Sequence, residues 1–345
     1  MQHEIKQRHA LLDEKGHLIE PGYTKGLLMD YDRSAIKAGA LRIKEWDYYL
    51  ITKEDEFAVA LTVADNSYMG LDSISLIDFK EGWEQTTSPM LIMTLGKRNL
   101  PSGSDKGDII ANGKNYFIHF KHNGDHRILS FKMDKFKEGK AIEGEIRLEN
   151  IEQDSMVIAT PFKEKKTAFY YNQKIVGMPA TGKVEFDGKV YDFEEGKSFG
   201  LLDWGRGVWT YDNTWYWGAA HGILDGHRFG WNIGYGFGDT SAASENMLFY
   251  DGVAHKLGRL SFNIPKTPDN KDDYMSPWTF TSDDGRFEMD FKPVLDRASN
   301  TDFKVLCSDQ HQVFGHFSGT ATLDDGTVLE VKDFFGFAEK VRNKW

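Results

Sequence analysis

Short runs of alternating or β-branched and aromatic residues recur along this sequence, each closed by turn residues. Examples are Phe57–Val63, Tyr116–Lys121, Arg127–Met133, Ala141–Leu148, His227–Phe237 and Gln312–Thr322. Between such runs stand Asn123-Gly124, Asp187-Gly188, Asp225-Gly226, Asp251-Gly252, Asp284-Gly285 and Asp325-Gly326. These pairs supply the positive φ angles of tight hairpin turns. Strands at this spacing build an antiparallel barrel or sandwich. Helical periodicity is confined to the N-terminus, where residues 1–20 and Arg33–Lys44 predict one or two short helices.

At 345 residues the chain exceeds the usual size of one hydrophobic core, which favours two domains. The two halves share an order of elements. Trp46-Asp-Tyr-Tyr is answered by Trp215-Tyr-Trp217. The strand from Phe57 is answered by the strand from Phe229, and Arg127 to Lys132 by Arg286 to Lys292. An offset of roughly 160–175 residues means duplication of a domain, because solenoid repeats are far shorter. The charged, Pro161-containing stretch after Asn150 reads as a linker or an entering strand. The expected domains are therefore residues 1–160 and 161–345, the second carrying the candidate site.

Charge and cysteine usage narrow the partners. A net charge of −11 is the wrong sign for gripping phosphate backbones or anionic lipid. With Cys307 as its single cysteine, the chain can form no internal disulfide, which fits a reducing, cytoplasmic setting. The polar N-terminus lacks the apolar core of a secretory leader, and no apolar run is long enough to span a bilayer. The expected partner is a small hydrophobic or amphipathic molecule. Neither nucleic acid nor membrane insertion is expected, and a homodimer remains open.

The most site-like stretch runs from Ser198 to Asn246. The strand Phe229-Gly-Trp-Asn232-Ile-Gly-Tyr235-Gly trades the Val and Leu of its first-half counterpart for Gly, Asn and Tyr. Strand glycines serve either a barrel corner or the close approach of a ligand or backbone. Upstream, Asp203 and Arg206 stand among Trp204, Trp209 and Tyr211 in what reads as a Gly-rich loop. A carboxyl in a dry aromatic pocket is pushed toward neutral and suits a general acid. Arg206 would hold a substrate anion or restrain Asp203; the plainer reading is an internal ion pair pinning the loop. Trp215, Trp217 and His221 alternate onto one strand face, as a ligand wall or as core with one satisfied histidine. Glu245 and Asn246 offer polar anchors or turn chemistry. His311 is a candidate base. Arg297 is an anion clamp or a solvated surface residue.

Other signals are weak. His119, His122 and His126 straddle a hairpin turn without a carboxylate or cysteine pattern, so no metal site is expected. Gly234-Tyr-Gly236-Phe-Gly238 precedes no helix and is no nucleotide fingerprint. There is no phosphate loop and no G-x-S-x-G elbow, and Cys307 lacks an activating neighbourhood. No cofactor is expected.

Several segments carry a resemblance. Arg42-Ile-Lys44-Glu45-Trp46, Leu202-Asp203-Trp204-Gly205-Arg206-Gly207, Asn232 to Asp239, Glu245-Asn246, His311-Gln312-Val-Phe-Gly315 and Gly336-Phe-Ala-Glu339 look like bacterial domain of unknown function 2804 over nearly the whole chain. More distantly the sequence resembles the double-lipocalin-like proteins, which include carotenoid hydratases, tocopherol cyclases and AttH-like proteins. That resemblance implies two tandem lipocalin-like antiparallel β-barrels. It also implies an acid role for Asp203, although Trp204 stands where the hydratases have a histidine. Two functions follow as expectations. One is a cofactor-independent hydratase, cyclase, isomerase or lyase using Asp203 as acid. The other is a non-catalytic binding protein for a hydrophobic or amphipathic ligand. A purely structural module, with every aromatic in its core, is the blandest reading.

Overall fold

A computed structural model of the chain describes residues 2–302 and 307–344. The fold is almost entirely β, in two large antiparallel sheets. Across the first sheet the strands run Trp83–Thr87, Met69–Asp78, Phe57–Asp65, Ile43–Lys53, Ser198–Val208, Lys165–Phe186, Lys140–Glu149, His126–Lys137, Tyr116–His122 and Ile109–Gly113. Across the second they run Val253–Lys256, Met247–Tyr250, His227–Tyr235, Asp212–Leu224, Val328–Lys344, Cys307–Thr322, Phe287–Asp302, Trp278–Ser282 and Leu260–Asn263. In each sheet a meander ends when the last strand returns to pair with the first. The duplication read in the sequence is thus a duplication of topology.

Both sheets curl until their ends meet. In the first, the Tyr116 hydroxyl reaches Asp72 (2.7 Å) and the Thr87 hydroxyl donates to the Phe136 carbonyl (2.6 Å). In the second, the Tyr235 hydroxyl accepts from the Phe262 amide. Both interiors are packed. Tyr49 lies edge-on to Phe120 inside the first barrel, and Trp231 packs on Phe287, Phe317 and Phe334 inside the second.

Two sequence expectations differ from this fold. Residues 2–20 form no helix and carry the short strand His9–Ala10 instead, and the helix expected at Arg33–Lys44 reduces to two single 3-10 turns, Arg33–Ala35 and Ala40–Arg42. Asp32 caps the first, but Gly39 separates the two before a helix can propagate. The sheets change between Val208 and Asp212, whereas residues 160 and 161 lie inside strand Met156–Phe162. The charged Lys163-Glu164 is the tip of a hairpin joining that strand to Lys165–Phe186, and both strands belong to the first sheet.

Candidate functional site

A cavity of about 890 Å³ lies between the two barrels, bounded by the outward faces of both sheets. Its walls are two rows of cross-strand neighbours. On the first sheet the register aligns Lys174 with Asp203, Asp203 with Tyr48, Tyr48 with Thr62 and Thr62 with Ser73. On the second it aligns Trp217 with Glu339, Glu339 with Gln312 and Gln312 with Arg297. All of these side chains line the cavity. The cavity is not confined to the second domain, where the site was expected: residues of both sheets line it.

An aromatic cluster closes one part of the cavity. Trp209 lies 5.9 Å from Trp215 and 4.7 Å from Phe237, and Trp46 packs against both Trp209 and Tyr170. Gly205 makes room for this, because a Cβ there would stand 1.9 Å from the Trp46 ring. The Phe229–Gly238 glycines serve the chain's own close packing: a Cβ on Gly234 would meet the Tyr216 carbonyl and the Glu245 carboxyl.

Among these rings sit buried charges. Lys174 Nζ lies 2.8 Å from Asp203 Oδ2 and 3.7 Å from the centre of the Trp217 ring. Asn172 donates to the other Asp203 oxygen (2.6 Å). Glu339, only 8% exposed, accepts from Trp215 Nε1 (3.1 Å) and from Gln312 Nε2 (3.2 Å). Burial pushes its carboxyl up to about 7; the Trp215 bond and the Lys174 charge oppose the shift, and Asp203 adds to it. Glu245 is also raised by burial and is tied to Asn232. Asn232 in turn accepts from Trp217 Nε1 (2.7 Å), which fixes that ring. Arg297 donates to Ser75, Thr86 and Gln312, bridging the two sheets.

Of the residues singled out in the sequence, Asp203, Trp209, Trp215, Trp217, Glu245 and Arg297 line the cavity, and Asn232 stands behind Trp217. The rest lie elsewhere. Asp203 and Arg206 are three residues apart on a strand, so they point to opposite faces and form no pair. Arg206 is fully buried inside the first barrel, bonded to Asp47 (3.0 Å) and to the Trp46, Gly205 and Pro101 carbonyls. Trp204 shares that face, against Tyr31 and Tyr171. His311 faces away between the cavity-lining Gln310 and Gln312, bonded to Asp296 (2.6 Å) and stacked on Tyr274. His221 shares a face with Trp217 but lies beyond the cavity against Thr52 (2.9 Å), where burial lowers its pKa to about 4. Tyr235 stacks on Tyr216 at the second barrel's closure. Asn246 receives the Gly234 amide (2.7 Å), and Tyr211 lies 40% exposed beside Arg42 and Lys344. Lys174 and Glu339 also line the cavity and were not singled out in the sequence. The visible signal was a polar residue inside an otherwise apolar strand, in Tyr171-Asn-Gln-Lys174-Ile and in Phe337-Ala-Glu339.

Two curled antiparallel sheets of repeated topology, with a polar-aromatic cavity between them, define a double-barrel protein of lipocalin-like type. The chain belongs to the family described as domain of unknown function DUF2804, whose model matches residues 2–345. Among solved structures it is similar to a protein described as AttH from Nitrosomonas europaea, with a TM-score of 0.50 and 11% identity over 90% of this chain and 96% of that one. Kievitone hydratase from Nectria haematococca aligns at a TM-score of 0.49 and 10% identity, over 97% of this chain and 98% of that one. At 11% identity the likeness to the Nitrosomonas europaea protein speaks to the fold alone. No functionally curated protein matches the sequence. Among the described residues, no helix is long and apolar enough to cross a membrane.

Proposed function

We propose that the inter-barrel cavity binds a small, largely apolar molecule and transfers a proton to or from it, as in a hydratase, isomerase or lyase. The observation that carries this reading is the buried Glu339 carboxyl on the cavity wall, poised near neutrality by its surroundings. A group with a pKa near the working pH both gives and takes a proton readily. Glu339 replaces Asp203 as the proton carrier, because Asp203 is engaged by Lys174 and Asn172. The Asp203–Lys174 pair sets the local field, and the faces of Trp215 and Trp217 favour a developing positive charge on the substrate. A reducing, cytoplasmic setting goes with the single cysteine.

The aromatic wall equally suits retention of a ligand without chemistry, as in a binding protein. The two readings separate in heavy water. Small molecules retained by the purified protein are released, identified by mass spectrometry, and incubated in heavy water with wild type and Glu339→Gln. The enzyme reading expects deuterium at a carbon position with wild type, and at least about 100-fold slower labelling with the variant. Retention of the same molecule by both, with no labelling by either, overturns catalysis and leaves the binding protein.

A further inference from the structure

Arg297 stands at one end of the row that Glu339 occupies. Its Nε donates to Thr86 (3.1 Å), Nη1 to Gln312 (2.9 Å) and Nη2 to Ser75 (2.8 Å). The Tyr48 hydroxyl, which lies 3.4 Å from Gln312 Nε2, is beside it as well. All of these neighbours are neutral. The other cation of the cavity, Lys174, is matched by Asp203. Arg297 forms no ion pair with any described carboxylate, although Glu84 and Glu339 also line the cavity. Gln312 separates it from Glu339 by taking the guanidinium on its oxygen and the carboxyl on its nitrogen.

A half-buried guanidinium held by oxygens that carry no charge is short of a counter-ion. It has five N–H donors, and these three bonds use three. A guanidinium fork matches the two oxygens of a carboxylate. The surrounding end of the cavity is hydroxyl-rich, with Ser73 bonded to Ser88 (2.6 Å), while Trp46, Trp209, Trp215 and Phe237 gather elsewhere in it. We infer that the ligand is an amphipathic anion whose carboxylate or similar acidic head docks on Arg297 while its apolar body lies among the aromatic rings. This rests on the reading of the cavity as a ligand site and names the class of molecule it takes. The head would sit one amide side chain from Glu339, so the atoms exchanging a proton would be close to the acidic group.

Two fluorescent probes with one apolar body test it: anilinonaphthalene sulfonate, which is anionic, and phenylnaphthylamine, which is neutral. Both are titrated into the full chain. Location is read by protection of Cys307, the single cysteine and a cavity-lining residue, from alkylation. The expected result is that both probes protect Cys307 and the anion binds more tightly. Arg297→Gln should weaken the anion at least about ten-fold, the scale of one charge-assisted hydrogen bond, and leave the neutral probe within about two-fold. Arg297→Lys, which keeps the charge, should recover part of the loss and guards against a folding defect. Equal binding of both probes to wild type, or equal weakening of both in Arg297→Gln with no recovery in Arg297→Lys, overturns the anion site and leaves the cavity reading intact. If neither probe protects Cys307, both readings fall.

Discussion

At the scale of single residues, Lys174 and Asp203 carry most of the electrostatic risk in the cavity. Both are largely withdrawn from water, and each is tolerated because the other is 2.8 Å away. Removing one partner strands a buried charge. Lys174→Met is therefore expected to lower the urea-unfolding free energy by about 3–5 kcal/mol, and the double replacement Lys174→Met with Asp203→Leu to recover much of it. An unchanged midpoint in the single variant would mean that Asp203 finds another partner or takes up a proton without cost. Half of this pair was legible in the sequence. Asp203 stood out in an aromatic, glycine-rich run, but its partner belongs to a strand that meets it only through sheet register. Arg206 was the nearer cation in sequence and the wrong one in space. Once Ser198–Val208 is a strand, an odd separation sends the two side chains to opposite faces. The same parity separates His311 from the cavity-lining Gln310 and Gln312.

At the scale of elements, strand Ser198–Val208 is the hinge of the arrangement. It is buried along its whole length and pairs with Ile43–Lys53 on one side and Lys165–Phe186 on the other. One face presents Asp203 and Gly205 to the cavity side, and the other sends Trp204 and Arg206 into the first barrel. Its glycines made it look like a loop; in the fold, Gly205 leaves the space that the Trp46 ring occupies. Gly205→Ala is expected to displace Trp46 from Trp209 and Tyr170, lowering stability by about 1–3 kcal/mol in urea unfolding. A variant as stable as wild type would show that the ring yields at no cost. Trp215 and Trp217 share the strand face that alternation assigns to them, because alternation is local. Glu339 was not singled out, because its chemistry depends on Gln312 and Trp215, which reach it through pairings across more than a hundred residues of chain or through a separate hairpin. The charged run near Pro161 misled the domain boundary for a related reason: a hairpin tip and a linker share their composition.

At the scale of the whole molecule, two sheets with the same order of strands turn their outer faces toward each other and enclose what neither encloses alone. The repeat was visible as matched sequence segments; the strand spacing left barrel or sandwich open, and the resemblance to double-lipocalin-like proteins implied the barrels. The cavity between them was not visible, since nothing local says which face of a strand meets the other barrel. Acid–base behaviour belongs to this scale, because Glu339 owes its shift to burial between the barrels. Its folded pKa, about 7, is above its ordinary value of 4.5, so the folded state binds the proton more tightly than the unfolded chain. That contribution is fully present below 4.5 and is lost as pH rises through about 7, a change of about 3 kcal/mol. His221 works in the other direction. Its pKa falls from 6.5 to about 4 on burial, so its contribution is lost as pH falls through that range. The two slopes oppose each other in the wild type, and a variant is needed to separate them.

The most direct test is the unfolding free energy of wild type and Glu339→Gln, measured in urea across this pH range. If a neutral carboxyl lies buried in the cavity wall, the curves run together at low pH. They then diverge between 4.5 and about 7, until the variant is the more stable by about 3 kcal/mol. Parallel curves through that window would mean that Glu339 ionises as freely in the fold as in water, and would contradict the poised proton on which the proposed chemistry depends.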